Sequence, residues 1–407
     1  MTNLYKLHNQ IKHYAWGSAN FIPQLLGISG DGTPWAELWM GSHSDTSSLV
    51  SLPSGIVSLG ELIARDPRRY LGEKTAQRYD TLPFLFKLLA IEKPLSIQAH
   101  PNLAQAREGY EREFKAQIAH NAPNRSYRDP NHKPEIICAL TPLTGMCGFR
   151  SREETARLLS VFRAEAAPGP LREGFIPLLQ ALEIPNQALA MRNFLDALFA
   201  LSLPVREALT QFILSAQGEG AGGESYEWEL MREFARQYPG DPTIIAPLYL
   251  AVFHLEPGEA IFLKAGVPHA YIHGLGVELM ANSDNVLRGG LTTKYVDIPE
   301  LMKVLDFNSL KPHVIKPELN SGCFTYPAPC EEFSLTAARG AANFARSAPA
   351  IAIVTEGEVS IGGTVLKQGE SAFIPADGEN GKAADPLVLQ GHFTLYAASV
   401  PGEQVPL

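Results

Sequence analysis

Gln98 and His100 alternate in the stretch LSIQAHPN, which reads as a strand entering a Pro-Asn turn. Alternation along a strand puts both side chains on one face. An amide beside an imidazole is either a solvated strand end or two arms of a metal site. Other groups of ligand type lie far off in the chain. RDPNHKPEIICAL brings His132, Lys133 and Glu135 to the mouth of a strand, and AGVPHAYIHG brings His269 and His273. A catalytic zinc takes N, O or S ligands from the protein and keeps a position open. His and Glu are ordinary ligands, whereas Gln is a neutral, weak donor. A Gln-His-Glu-His set would carry one ligand charge and leave the metal strongly electrophilic. No spacing rule links positions 100, 135 and 269, and each histidine alone is more often a hydrogen-bonded core residue. His269 and His273 are in phase on one strand, so alternation does not choose between them. His269 follows Pro268 at the strand mouth, while His273 sits by the far turn.

A second group carries charge. ANSDNVLRGGLTTKYVDIPELM places Asp284, Arg288 and Lys294 after a strand and before a helix beginning near Pro299. Arginine offers a permanently charged, bidentate clamp for a phosphate or a developing oxyanion. Lys87 interrupts the apolar run PFLFKLLA. It lies either on an exposed strand face or in a pocket as a charged or tuned group.

These side chains need elements to hold them. Residues 1–150 alternate short apolar runs with turn signals, and LPFLFKLLAIEKPLSIQAHPN and KPEIICALTPLTGMCGF are the clearest strands. The character changes at Ser151. Ser151 and Glu154 have capping-box spacing, and Met191, Phe194, Leu195 and Leu198 form one helical face. A break, GEGAGGE at 218–224, precedes another helix that ends at Pro-Gly. Residues 151–240 therefore read as a helical module set into a β-rich chain. Strands return from Leu248. LEPGEAIFLKAG near 255 is echoed by LKQGESAFIPAD near 366, with Gly258-Glu259 matching Gly369-Glu370 and Phe262 matching Phe373. Strand, glycine-centred turn, strand is a hairpin unit of a jelly roll. The second copy lacks a histidine, so it reads as a barrel without metal ligands.

The 407 residues are 45% hydrophobic, enough for more than one packed domain. A net charge of -9 argues against a nucleic-acid partner, though a local cationic cluster still admits an anionic substrate. No run reaches the length of a membrane span, and no apolar leader opens the chain. Four cysteines without CxxC spacing read as buried free thiols in a reducing, cytoplasmic setting.

YAWGS, AELWMGSH, PFLFKLLAIEKPLSIQAHPN, HKPEIICAL and GVPHAYIHGLGVELMANSDNVLRGGLTTKYVDI together resemble the type I mannose-6-phosphate isomerases, in the family's order along residues 14–298. The resemblance implies a mainly β, cupin-type fold with an α-helical insertion. It divides the chain into a catalytic cupin domain (1–150 and 241–310), a helical insertion (151–240) and a C-terminal cupin-like domain without ligands (311–407). It implies one Zn2+ per chain on Gln98, His100, Glu135 and His269. It implies interconversion of mannose 6-phosphate and fructose 6-phosphate, and a small-molecule partner bound by a monomer. The alternatives are a non-catalytic bicupin that binds a sugar phosphate and an isomerase of the same fold acting on another aldose. Members commonly read GLTPK and His-Pro where this chain has GLTTK (Thr293) and His43-Ser44.

Aldose–ketose exchange through a cis-enediol needs a base that moves a proton between C1 and C2. It also needs stabilisation of the enediolate oxygens, which zinc supplies as a Lewis acid. Arg288 is the candidate for added oxyanion stabilisation or for shuttling the hydroxyl proton. Asp284, His132, Lys133 and Lys87 are the acid–base candidates. Lys294 and the Ser96 hydroxyl are the candidate phosphate contacts, since Ser96 shares a strand face with Gln98.

Overall fold

The computed structural model describes residues 4–215, 225–308, 310–318, 322–344, 348–376 and 387–401. It is mainly β-sheet with helices. Six strands matter for the site: β1 (Phe84–Ile91), β2 (Ile97–Ala99), β3 (Glu135–Ala139), β4 (Ala260–Leu263), β5 (His269–Ala281) and β6 (Leu287–Gly290). They lie in one of two ten-stranded sheets among the described residues.

β5 is the hub of that sheet. Its Gly274–Ala281 stretch pairs antiparallel with β1, and Gly276–Met280 pairs with β3. At its start, His269 faces Gln98 of β2, and Gln98 in turn faces Arg288 of β6. β3 also pairs with β4. One long strand therefore gathers segments that are far apart in sequence. All eight residues of β1 are buried, including Lys87, which interrupts its otherwise apolar run.

The helices back the site strands. Met191, Phe194, Leu195 and Leu198 of the helix Gln187–Phe199 are buried, as their spacing predicts. Their cluster continues through Ile97, Ala99, Ala270, Ile272 and Leu287. These five alternate with Gln98, His100, His269, Tyr271 and Arg288, so the pleat points the polar set the other way. Ser151 caps the helix Arg152–Glu165 by accepting from the Glu154 amide at 3.1 Å. The Glu154 carboxylate turns to Arg150 instead, so half of the expected capping box forms. The GEGAGGE break lies outside the described residues.

The helices within residues 1–150, among them Leu59–Arg65, Glu73–Tyr79 and Leu103–Lys115, were not anticipated. The Pro-Asn turn after β2 leads into Leu103–Lys115, whose N-terminus is closed by a reciprocal pair between Asn102 and Gln105 at 2.9 Å each way. Cys138 and Cys147 are buried and all four thiols are free, but Cys323 is exposed, against the expectation of burial. It lies on the short strand Gly322–Thr325, which has no fully buried position.

The second sheet joins the last hundred residues to the first sixty. Strand Tyr5–His8 pairs with Ser371–Ile374 on one side and Leu49–Leu52 on the other. The echo between the two halves recurs as geometry. Gly258 (φ 92°) and Gly369 (φ 82°) occupy the third position of matching turns. Glu259 returns its carboxylate to the Glu256 amide at 3.0 Å, and Glu370 to the Lys367 amide at 2.8 Å. Positive φ at that position is what glycine permits. Among the described residues, no single helix is long and apolar enough to cross a membrane.

Candidate metal centre

His100, Glu135 and His269 come from β2's end and the starts of β3 and β5. Each offers one ligand atom, and these atoms lie within 4.8 Å of one another, all buried. His100 Nε2 is 3.5 Å from one Glu135 oxygen, and His269 Nε2 is 3.4 Å from the other. Neither imidazole nitrogen finds a hydrogen-bond partner, and nor does Glu135 Oε2. Buried polar atoms are rarely left so. Three converging on one point fit a bound cation.

The outer nitrogens support that reading. His100 Nδ1 lies 2.7 Å from the Asn285 carbonyl, and His269 Nδ1 lies 3.0 Å from the Val267 carbonyl. A carbonyl only accepts, so both Nδ1 atoms carry the proton and both Nε2 atoms present a lone pair. Burial, aided by Lys133 and His269 against the opposing Glu135 charge, pushes His100 down to about 4. The ring is therefore neutral near pH 7, as a ligand must be. Burial resists ionisation of Glu135, but Lys133 and the two imidazoles outweigh it and hold the carboxyl well below its ordinary range. Lys133 Nζ is 2.9 Å from Glu135 Oε1.

The remaining candidates divide. Gln98 is half-buried and sits opposite both His269 and Arg288 in register. His273 is exposed, about 13 Å along β5 from His269 by strand rise, and packs edge-on to Phe21 at 5.7 Å. It stands apart from the cluster. Lys87 is buried, not on an exposed face, with Nζ 2.7 Å from Glu278 and 3.5 Å from Glu37. Burial works against its charge, but Glu278, Glu37 and Glu135 outweigh it and keep the ammonium protonated well above its ordinary range. His132 Nε2 faces Glu332 at 2.8 Å, on the loop before the strand Ser334–Arg339. Asp284 lies 3.8 Å from His43 and is partly exposed.

A cationic group lies beside β6. Burial lowers the proton affinity of Arg288, and Arg128 lowers it further. Lys294 is lowered by burial, then by Arg288 and Arg128. The three cations are near enough to oppose one another's charge, and none pairs with a carboxylate among the described residues. Lys294 donates its amide to the Thr292 hydroxyl at 3.1 Å, a side-chain turn in the TTK segment. Ser96 is half-buried, just before β2.

Sequence reasoning missed Arg128, Glu37, Glu278, Tyr271 and Asn285. Tyr271 carried a signal: it alternates with His269 and His273 in HAYIH, and its buried hydroxyl has no partner. The others gave none, because their partners lie far away in the chain.

A buried His-Glu-His cluster that could hold a metal ion, with Arg288 opposite Gln98 in register beside it, has the character of a metal-dependent enzyme's site. Comparison with known proteins gives the family. Residues 4–152 match the model of the phosphomannose isomerase type I catalytic domain. The mannose-6-phosphate isomerase of Salmonella typhimurium is 38% identical over 384 residues, covering 91% of this chain and 95% of that protein. That of Escherichia coli is 36% identical over 401 residues, covering 96% and 98%. A crystal structure of a variant phosphomannose isomerase from Salmonella typhimurium superposes with a TM-score of 0.87 at 35% identity, covering 98% of this chain and 100% of that one. A zinc-bound mannose 6-phosphate isomerase structure gives 0.86 at 35% identity, with the same coverage. The chain belongs to the type I phosphomannose isomerases.

Proposed function

We propose that this protein interconverts D-mannose 6-phosphate and D-fructose 6-phosphate using one zinc ion per chain. The observation that carries the reading is the convergence of His100 Nε2, Glu135 Oε2 and His269 Nε2, three buried atoms without partners, in a member of this family. Gln98 is the fourth ligand in this reading, by its register opposite His269. Bound zinc supplies a Lewis acid for the substrate oxygens.

The chain's own groups do the rest. The Arg128, Arg288 and Lys294 cations attract the phosphate, with Ser96 as a neutral contact. Arg288, opposite Gln98 in register, is the cation best placed to serve an oxyanion as well. Transfer between C1 and C2 needs a group that takes a carbon-bound proton and returns it to the neighbouring carbon. Asp284 is the candidate base, being a partly exposed carboxylate 3.8 Å from His43. Lys87 enters as a protonated group, because carboxylates hold it, and Lys133 is paired with Glu135. His132 stays an acid–base candidate through its second nitrogen.

The finer architecture is read the same way. The recurring glycine turns support two cupin-like barrels, the second apolar inside and without ligands. The helical residues 151–240 form the insertion, and the enzyme acts as a monomer on a small molecule in the cytoplasm.

A coupled assay with mannose 6-phosphate tests the activity. Turnover that is lost on chelation and restored by zinc is the expected result. Binding of the sugar phosphate without turnover would leave only a binding protein. In the same assay, Lys294→Ala raises KM far more than it lowers kcat, and an unchanged KM would remove Lys294 from phosphate binding.

A further inference from the structure

Asn285 is fully buried and lies in no strand, between β5 and β6. Its Oδ1 accepts from the Arg128 amide at 2.7 Å and the Asp129 amide at 3.2 Å. Its Nδ2 donates to the Asp129 carbonyl at 2.8 Å, Asp129 Oδ1 at 3.3 Å and the Asn131 carbonyl at 2.9 Å. Only one orientation of the amide satisfies two N–H groups on one side and three oxygens on the other. The backbone carbonyl of the same residue accepts from His100 Nδ1 at 2.7 Å.

One residue thus holds two arms of the site. The His100 bond fixes which imidazole nitrogen faces Glu135 and where the ring lies. The side-chain bonds fix the 128–131 segment, which carries Arg128 and runs into Lys133 and Glu135. Neighbouring contacts tighten the same joint. Asp129 Oδ2 accepts from the Asp284 amide at 2.7 Å, and the Ser283 hydroxyl donates to the Asn131 carbonyl at 3.2 Å. No other residue among the described ones bonds both a histidine of the cluster and the segment with the exposed cation.

We propose that Asn285 is a positioning residue that sets His100 and the 128–131 segment against each other. On this proposal, retention of the metal and binding of the sugar phosphate both depend on one buried amide. The proposal rests on the metal-isomerase reading above. Asn285 itself touches neither metal nor substrate. It acts through the His100 ring and through the Arg128 position. A tight protein bond to the outer nitrogen of a metal-ligating histidine typically matters about 10- to 100-fold in metal affinity.

The decisive variant is Asn285→Asp. It keeps the size and the acceptor for the Arg128 and Asp129 amides, but turns the donor edge into an oxygen facing two carbonyls. Asn285→Ser is the smaller second variant, for use if the first fails to fold. Zinc affinity is read by competition with a chromophoric chelator on folded, metal-stripped protein. KM for mannose 6-phosphate is read at saturating zinc. The expected result is a loss of zinc affinity of about 10-fold or more together with a raised KM in the same variant. Arg128→Ala should raise KM alone. Hydrogen exchange of the stripped wild type adds a readout without turnover, with the Arg128 and Asp129 amides exchanging faster than in the zinc form. Zinc affinity within about twofold of wild type in a folded Asn285 variant would overturn the proposal, as would loss of stability with both constants unchanged. A wild type that neither binds zinc nor turns over the sugar phosphate would instead overturn the function on which the proposal stands.

Discussion

Lys87 Nζ lies 2.7 Å from Glu278 Oε2, on residues that face each other directly across β1 and β5. Both side chains are more than nine-tenths buried. Two charges inside the sheet cost desolvation that only good pairing offsets. Glu37 completes the pairing at 3.5 Å and itself accepts from Trp39 Nε1 at 2.6 Å. Removing one partner should therefore cost more than the pair is worth. Lys87→Met leaves two carboxylates without their cation and should lose about 3–5 kcal/mol of stability. Glu278→Gln leaves Glu37 to hold the ammonium and should lose less. The double variant should be more stable than the sum of the two losses implies. Guanidinium unfolding of the metal-free proteins measures all three, and additive losses would show that the pair is not coupled.

Metal binding should appear in stability as well as in turnover. A ligand that binds only the folded chain stabilises it by an amount set by concentration over Kd, about 4 kcal/mol at a thousandfold excess. Zinc added to stripped protein should raise the melting temperature, and His269→Ala should abolish most of that rise. His273→Ala should retain it, because His273 is exposed and lies beyond the cluster. An equal loss in both histidine variants would contradict the assignment of His269.

The cationic group predicts a kinetic signature. Arg128→Ala and Lys294→Ala should each raise KM for the sugar phosphate by about tenfold, the effect of losing roughly 1.4 kcal/mol of charge-assisted binding. kcat should fall much less. Inorganic phosphate should inhibit the wild type and inhibit both variants more weakly. If phosphate inhibits all three alike, the anion is bound elsewhere.

His132 and Glu332 join the loop before β3 to the C-terminal region at 2.8 Å. Burial resists ionisation of Glu332, but the hydrogen bond and charge of His132 outweigh it, so the carboxyl sits below the ordinary 4.5. A depressed carboxyl stabilises the fold fully above its unfolded value and loses that contribution as pH falls through the folded one. The pair is partly solvated, so its worth is of order 1 kcal/mol. Glu332→Gln should thus lower the urea midpoint at pH 7 and differ little from wild type well below pH 4.5. A gap that persists undiminished in acid would exclude the charge as its cause.

What could be read from the sequence follows the range of the interactions. Gln98 and His100 were legible as a pair because strand alternation is local. Their partner Glu135 was legible as a strand start, but its meeting with His100 and His269 depends on β5 pairing with both β2 and β3. The choice of His269 over His273 came from family resemblance, and burial supplies its physical reason. Lys87 stayed ambiguous because an isolated lysine carries no mark of Glu278, 191 positions away. Asn285 and Arg128 had no pattern at all, since irregular segments make contacts that no period encodes. The helix after Asn102 was written in its Asn-x-x-Gln cap, but the site residues just before it drew the reading toward strand.

The echo between the two β-regions makes the last prediction. Gly258 and Gly369 adopt the same left-handed turn, so alanine strains both backbones by about 1–2 kcal/mol. Their surroundings differ. A Cβ on Gly258 would meet nothing nearer than Pro317 Cγ at 3.7 Å, an ordinary contact. One on Gly369 would lie 2.9 Å from Leu26 Cα and 3.1 Å from the Leu25 carbonyl, both backbone atoms that cannot swing aside. The neighbouring Gln368 side chain also donates to that carbonyl at 3.2 Å, fixing the approach. Gly369→Ala should therefore destabilise the protein clearly more than Gly258→Ala, by an extra overpacking cost of about 1–3 kcal/mol. Thermal unfolding of the two variants side by side measures the difference. Equal losses would mean that the turn at Gly369 is not clamped against the Leu25–Leu26 backbone.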